Sequence, residues 1–164
     1  LTGKAEYFEE KQDKDRLVDI CCASCSLPVL CPVAYVDGIP MVDGGVCDAI
    51  PIQHAIDDGF HKNVVILTRN KGYRKKDKDF YLPGFIYKQY PAIREQLKLR
   101  YKRYNEVLDY IDRLEAEGKV FVIRPEKKIE VGRTDSNPDR LEALYNEGYA
   151  LAERLVGAAL TTAR

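Results

Sequence analysis

The hydrophobic pattern is clearest in the second half of the chain. Asn63 to Thr68 (Asn-Val-Val-Ile-Leu-Thr) is a β-branched run without polar alternation, which is how a strand buried on both faces of a parallel sheet reads. Val120 to Ile123 is a second run of the same kind. Between them, Ile93, Leu97, Tyr101, Tyr104, Leu108 and Ile111 follow spacings of four, four, three, four and three. This spacing predicts a helix over Ala92 to Lys119 with one apolar stripe, and Glu95, Lys98, Arg100, Lys102, Arg103 and Glu106 cover its other side. Gly118 follows where a left-handed cap is favoured. Asn137-Pro138 predicts the start of a closing helix, with Asn137 as N-cap and Pro138 in the first helical position. Its buried face is expected to be Leu141, Leu144, Tyr145, Gly148, Leu151, Ala152, Leu155 and Ala159. Strand, helix, strand, helix in this order describes a right-handed crossover of a parallel sheet.

The first half is more broken. Lys4 to Phe8 reads as a strand and Glu9 to Asp15 as a charged link. Arg16 to Ser26 has helical spacing that Pro28 stops. Leu17, Cys21 and Cys25 recur every four residues, a face expected to pack closely on its neighbour. Val33 to Val36 and Pro40 to Val42 are two short apolar runs around Asp37-Gly38, a hairpin signal. Ile52 to Asp58 is a short helix, with Pro51 fixing its entry and Gly59 just past its end. Arg69 to Asp79 is a basic loop and Phe80 to Phe85 is aromatic. Such a pair suits contact with lipid headgroups, but it is also what any solvated loop beside a strand looks like, and charge runs usually face solvent. Arg124 to Thr134 reads as loop.

Candidate chemistry concentrates at Asp43-Gly44-Gly45, directly after the hairpin. Paired glycines allow positive φ and close approach to a neighbour. A carboxylate at a strand end beside such a turn can be displayed into a cleft as an acid or base. It can equally do no more than cap its own turn. The order Ala23-Ser24, Pro28, hairpin, Asp43-Gly44-Gly45-Val46, Asp48, Ile50-Pro51, Ala55 and Gly59 resembles the patatin-like phospholipases, which are serine acyl hydrolases. The resemblance covers residues 1 to about 70. Further on, Leu144-Tyr145, Gly148-Tyr149 and Ala152 look like the C-terminal part of a bacterial branch.

The resemblance implies an α/β, three-layer patatin-like fold with a mainly parallel sheet, of which this chain is the C-terminal half. Residues 1–70 would belong to the catalytic core and residues 71–164 would form an α/β extension. It implies a Ser–Asp dyad with Asp43 as base, Gly44 and Gly45 shaping the turn beside it, a lipid or other carboxylic ester as substrate, and no metal or organic cofactor. A serine hydroxyl needs such a base to take its proton as it attacks. The chain's serines, Ser24, Ser26 and Ser136, all lack a glycine two residues to either side, so none sits in the Gly-x-Ser-x-Gly elbow the family uses. Half a dyad is therefore expected here, inactive alone, with the nucleophile on the protein's own N-terminal half. An isolated half would pair with that half or form a homo-oligomer, because a parallel sheet needs both faces covered. The rivals are a non-catalytic α/β binding or regulatory module that keeps the turn for structure, and an anionic-lipid-binding protein with peripheral membrane contact through Arg69 to Lys78.

Composition narrows the field. With 45% hydrophobic and 32% charged residues among 164, a packed core is expected. A formal net charge of zero gives no global basic field for nucleic acid, and no apolar run reaches the roughly 18 residues that span a bilayer. Leu1 to Glu10 is polar and acidic, unlike a signal peptide. The chain opens on Leu and its only Met is Met41, so a downstream portion of a longer protein is expected. Cysteines 21, 22, 25, 31 and 47 are odd in number and bunched, which suits free thiols in a reducing cytoplasm and core packing. Cys22-x-x-Cys25 with Cys31 lacks the second pair of a zinc site, and His54 and His61 are not spaced to supply it. Neither histidine carries a catalytic motif. Asp57 and Asp58 point in different directions on a helix, and Asp48 is expected to cap the helix that Pro51 opens.

Overall fold

A computed structural model of the chain describes residues 2–76, 86–132 and 135–162, without the side chains of 158–162. The aromatic stretch Phe80 to Phe85, the end of the basic loop and the expected burial of Ala159 lie outside the described residues. The elements are α1 (Lys14–Ser24), β1 (Ala34–Val36), β2 (Ile39–Met41), a 3-10 turn (Gly44–Val46), α2 (Ile52–Asp57), β3 (Asn63–Ile66), α3 (Pro91–Ala116), β4 (Val120–Ile123) and α4 (Pro138–Thr162). They divide into two compact units, Leu1–Pro51 with Lys75–Tyr110, and Ile52–Arg74 with Ile111–Arg164. Among the described residues the structure is mixed α/β with two small sheets, one antiparallel and one parallel.

In the first unit, β1 and β2 form the expected hairpin, pairing Ala34 with Met41 and Val36 with Ile39. Asp37 and Gly38 take φ of 52° and 76°, the left-handed pair that a two-residue hairpin turn requires. Arg16 on α1 grips the Asp37 carboxylate through Nη2 at 2.8 Å and Glu10 through Nη1 at 2.7 Å. Helix α1 starts two residues before the sequence suggests, because Asp13 accepts from the N–H groups of Asp15 and Arg16 and acts as its cap. Its cysteine face is not packed: Cys21, Cys22 and Cys25 are exposed, and Ala23 alone on the helix is buried. The small alanine, not the thiols, sits on the buried side. Lys4 to Phe8 is not a strand either. It is held by Tyr7 Oη donating to Asp48 at 2.5 Å and by Gly3, whose carbonyl accepts from Cys47 Sγ at 3.3 Å. Of the stripe expected on α3, Ile93, Leu97 and Leu108 are buried in this unit, while Tyr101 and Tyr104 are half-buried.

In the second unit, β3 and β4 pair in parallel, Asn63 with Val120 through Ile66 with Ile123. Val65, Leu67, Val120 and Val122 are buried. The other face of β3 is not, with Val64 62% and Ile66 73% exposed, so the expectation of a strand buried on both faces fails in this chain. Helix α4 begins at the Asn137 cap, whose side chain accepts from Arg140 N at 3.2 Å. Its buried face is narrower than the pattern suggests: Leu151 is buried, while Leu141, Tyr145 and Gly148 are exposed. Gly59 and Gly118 follow α2 and α3 at φ of 88° and 68°; a left-handed cap is expected at Gly118, and Gly59, expected just past its helix, adopts one too.

Candidate active site

Asp43 leaves β2 and immediately enters the 3-10 turn Gly44–Val46 as its cap. Its backbone is fixed from both sides. Asp43 N donates to Ser26 O at 2.8 Å, and Asp43 O accepts from Val46 N at 3.1 Å. Its side chain turns inward on the same loop, Oδ1 accepting from Gly45 N at 2.7 Å. The carboxylate is half-buried. Val46, 1% exposed, packs with Ile93 and Leu97 of α3, with Val42, Cys47 and Tyr90 around them. The turn is therefore seated on α3 by an apolar plug one residue past the glycines.

The glycines are needed for a different reason than the sequence suggests. Neither Gly44 nor Gly45 has a positive φ. A Cβ on Gly45 would lie 2.9 Å from Asp43 Oδ1 and 3.5 Å from Arg100 Nη2, whereas one on Gly44 would meet only Ser24 Oγ at 3.9 Å. Close approach is thus the requirement at Gly45, and Gly44 has space.

Arg100 is the residue sequence reading places wrongly. Its Nε donates to Gly45 O at 2.8 Å, so the turn is clamped by a guanidinium from α3. Arg100 stands seven residues after Ile93 and four before Tyr104, inside the apolar stripe rather than opposite it. An arginine at that helical position was the available signal. Beside it, Gly45, Cys47, Asp48, Arg100, Arg103 and Tyr104 contribute to the lining of a hollow of about 20 Å³. Burial pushes the Cys47 thiol up, partly offset by Arg103 and reinforced by Asp48. Tyr7 is pushed up to about 12, by burial first and by its bond to Asp48 next. Asp48 therefore anchors the N-terminal segment and does not cap α2.

The other candidates are not gathered here. Ser26 Oγ donates to Cys22 O at 2.8 Å. Ser24, exposed at the end of α1, is the serine beside the glycine turn. His54 lies in the second unit, 3.3 Å from Asp58 one helical turn on, and His61 is exposed there. Among the described residues no three His, Cys, Asp or Glu side chains are placed to hold a metal ion, and no helix is long and apolar enough to cross a membrane. The described part of the basic loop is engaged with its surroundings: Lys71 reaches Glu115 at 3.5 Å, Arg74 reaches Asp112 at 3.9 Å, and Arg69 lies over the Tyr73 ring.

Residues 2–56 match the family model for patatin-like phospholipase. This segment is patatin-like. It lies at the N-terminal edge of the chain and contains α1, the hairpin and Asp43-Gly44-Gly45 together. Residues 90–159 match a second family model, a domain of unknown function (DUF6363). No curated protein and no solved structure matches the chain. The match over residues 2–56 takes in Asp43 and the glycine turn after it.

Proposed function

We propose that this chain supplies the base of a Ser–Asp dyad in a patatin-like lipid acyl hydrolase, with Asp43 as that base. The observation that carries the reading is the coincidence of the patatin-like match over residues 2–56 with a braced Asp43-Gly44-Gly45 turn. A carboxylate takes a proton efficiently from an attacking hydroxyl only if it is held in place and partly desolvated. Asp43 meets both conditions: its backbone is pinned to Ser26 and Val46, and its side chain is half-buried. Oδ1 accepts from Gly45 N, which leaves Oδ2 as the oxygen to face an incoming serine.

The nucleophile would come from an upstream elbow on the protein's own N-terminal half, and this chain alone would not turn over an ester. The bare face of β3, with Val64 and Ile66 outward, supports completion by further strands and helices into a three-layer fold. The substrate would be a phospholipid or another lipid ester, and no cofactor enters the scheme.

A specific observation also favours a second reading, in which Asp43 only caps its turn. That observation is the 2.7 Å bond from Gly45 N, and the chain would then be a non-catalytic module. Ester hydrolysis by the full-length protein carrying Asp43→Asn separates the two. The change keeps the shape and removes the base, so turnover is expected to fall by about 10²- to 10⁴-fold, the usual worth of a positioned general base. Turnover within a factor of a few of the unaltered protein would remove Asp43 from catalysis.

A further inference from the structure

We propose that the hollow between the glycine turn and α3 is a phosphate site, formed by Arg100 and Arg103. The two arginines stand three apart on α3, hence on neighbouring positions of one helix surface. Both are half-buried and both line the hollow. Arg100 spends its Nε on Gly45 O, and its terminal amino groups make no hydrogen bond among the described residues. Arg103 makes no hydrogen bond or ion pair among them at all. Asp48, the carboxylate in the lining, accepts from Tyr7 Oη and pairs with neither guanidinium. A third cation is near, since Lys75 Nζ lies 5.2 Å from the centre of the Tyr104 ring, which also lines the hollow.

Like charges one helical turn apart repel, and half-burying guanidiniums whose terminal amino groups lack an acceptor is unfavourable. An anion that takes hydrogen bonds from both relieves the two costs together. The hollow of about 20 Å³ has room for a single water-sized group. One oxygen of a tetrahedral phosphate would therefore enter, while the rest stays at the rim. Planar guanidiniums suit this task, because each can present two parallel N–H donors to a phosphate. Two sources share this chemistry, a free phosphate and a phosphate-bearing lipid headgroup. The site does not depend on the chain hydrolysing an ester, and its test needs no turnover.

The test is calorimetric titration of the full-length protein with inorganic phosphate, and vesicle co-sedimentation using phosphatidylcholine with and without phosphatidic acid. Unaltered protein, Arg103→Gln and Arg103→Lys are compared. Saturable binding of inorganic phosphate, weakened about tenfold or more in Arg103→Gln and partly restored in Arg103→Lys, is the result expected for free phosphate. Binding confined to phosphatidic acid vesicles, with the same response to the variants, supports the site and assigns the headgroup as its source. No binding of either probe, or binding equal in all three proteins, overturns it. Should Arg103→Gln fail to fold, the arginine Nε–H resonances of the unaltered protein decide. Shifts on adding phosphate at Arg100 and Arg103 support the site, and their absence there overturns it.

Discussion

Substituting alanine separately at Gly44 and Gly45 should give effects of opposite sign, although the residues are adjacent and chemically identical. At Gly45 the new Cβ would stand 2.9 Å from Asp43 Oδ1, closer than nonbonded carbon and oxygen tolerate. The carboxylate is the part able to move, and moving it breaks the 2.7 Å bond to Gly45 N. Losing a hydrogen bond to a charged acceptor costs about 1.5–3 kcal/mol, and loss of a cap about 0.5–2 kcal/mol. These describe the same bond, so about 1–2 kcal/mol is the net expectation. At Gly44 the new Cβ would make an ordinary contact at 3.9 Å with Ser24 Oγ, and φ is not positive. Alanine there restricts the unfolded chain and should stabilise by about 0.4–1 kcal/mol. Urea unfolding of both variants, with unchanged m-values, measures the difference. Under the proposed function, Gly45→Ala in the full-length protein should also lose turnover, since the Asp43 carboxylate is displaced. Equal stabilities for the two variants, or a stable Gly45→Ala, would refute the close-approach account of this turn.

Two further predictions concern ionisation. Glu10 is held down to about 2 by the backbone N–H groups of Asp13 and Gln12 and then by Arg16, and Arg16 likewise holds Asp37 low. Carboxyls lowered in the folded state contribute stability above their unfolded value near 4, and lose it as pH falls through the folded value. Unfolding followed from about pH 5 to pH 2 should show this loss, and Glu10→Gln should flatten it; an unchanged slope would count against the network. Tyr7, pushed up to about 12, contributes stability that is lost as pH rises from about 10 through that value. Its phenolate should appear late in an ultraviolet absorbance titration, and Tyr7→Phe should remove that late step without altering the others.

What could be read from the sequence was whatever depends on near neighbours. The Asp37-Gly38 hairpin, the Asn137-Pro138 start and the Gly59 and Gly118 ends are each fixed by the backbone preferences of one or two residues. The α3 stripe survived because a long helix averages many positions. What failed depended on partners distant in the chain. Lys4 to Phe8 has strand-like composition but is held by side chains reaching Asp48 and Cys47. The cysteines of α1 have core-like chemistry, yet a helix of 11 residues presents only Ala23 to a buried surface. Val64 and Ile66 look buried because their neighbours are. At the glycine turn, the cap formed by Asp43 was legible from its own neighbours, while the clamp from Arg100 was not, because it is set by where the Gly45 carbonyl falls.

That last point bears on how the two matched segments relate. The patatin-like segment ends at residue 56 and the second begins at residue 90, which invites a division into separate modules. The packing argues otherwise for the site. Leu1–Pro51 and Lys75–Tyr110 form one compact unit, and the glycine turn is seated by Val46 on Ile93 and Leu97 and clamped by Arg100. All of these α3 residues belong to the second matched segment. A patatin-like turn cut free of α3 would expose Val46, leave the Gly45 carbonyl without its arginine, and release the carboxylate that both contacts hold still. The first turns of the second segment thus back the first segment's glycine turn, and the division into compact units falls within α3, after Tyr110, not between the two matches.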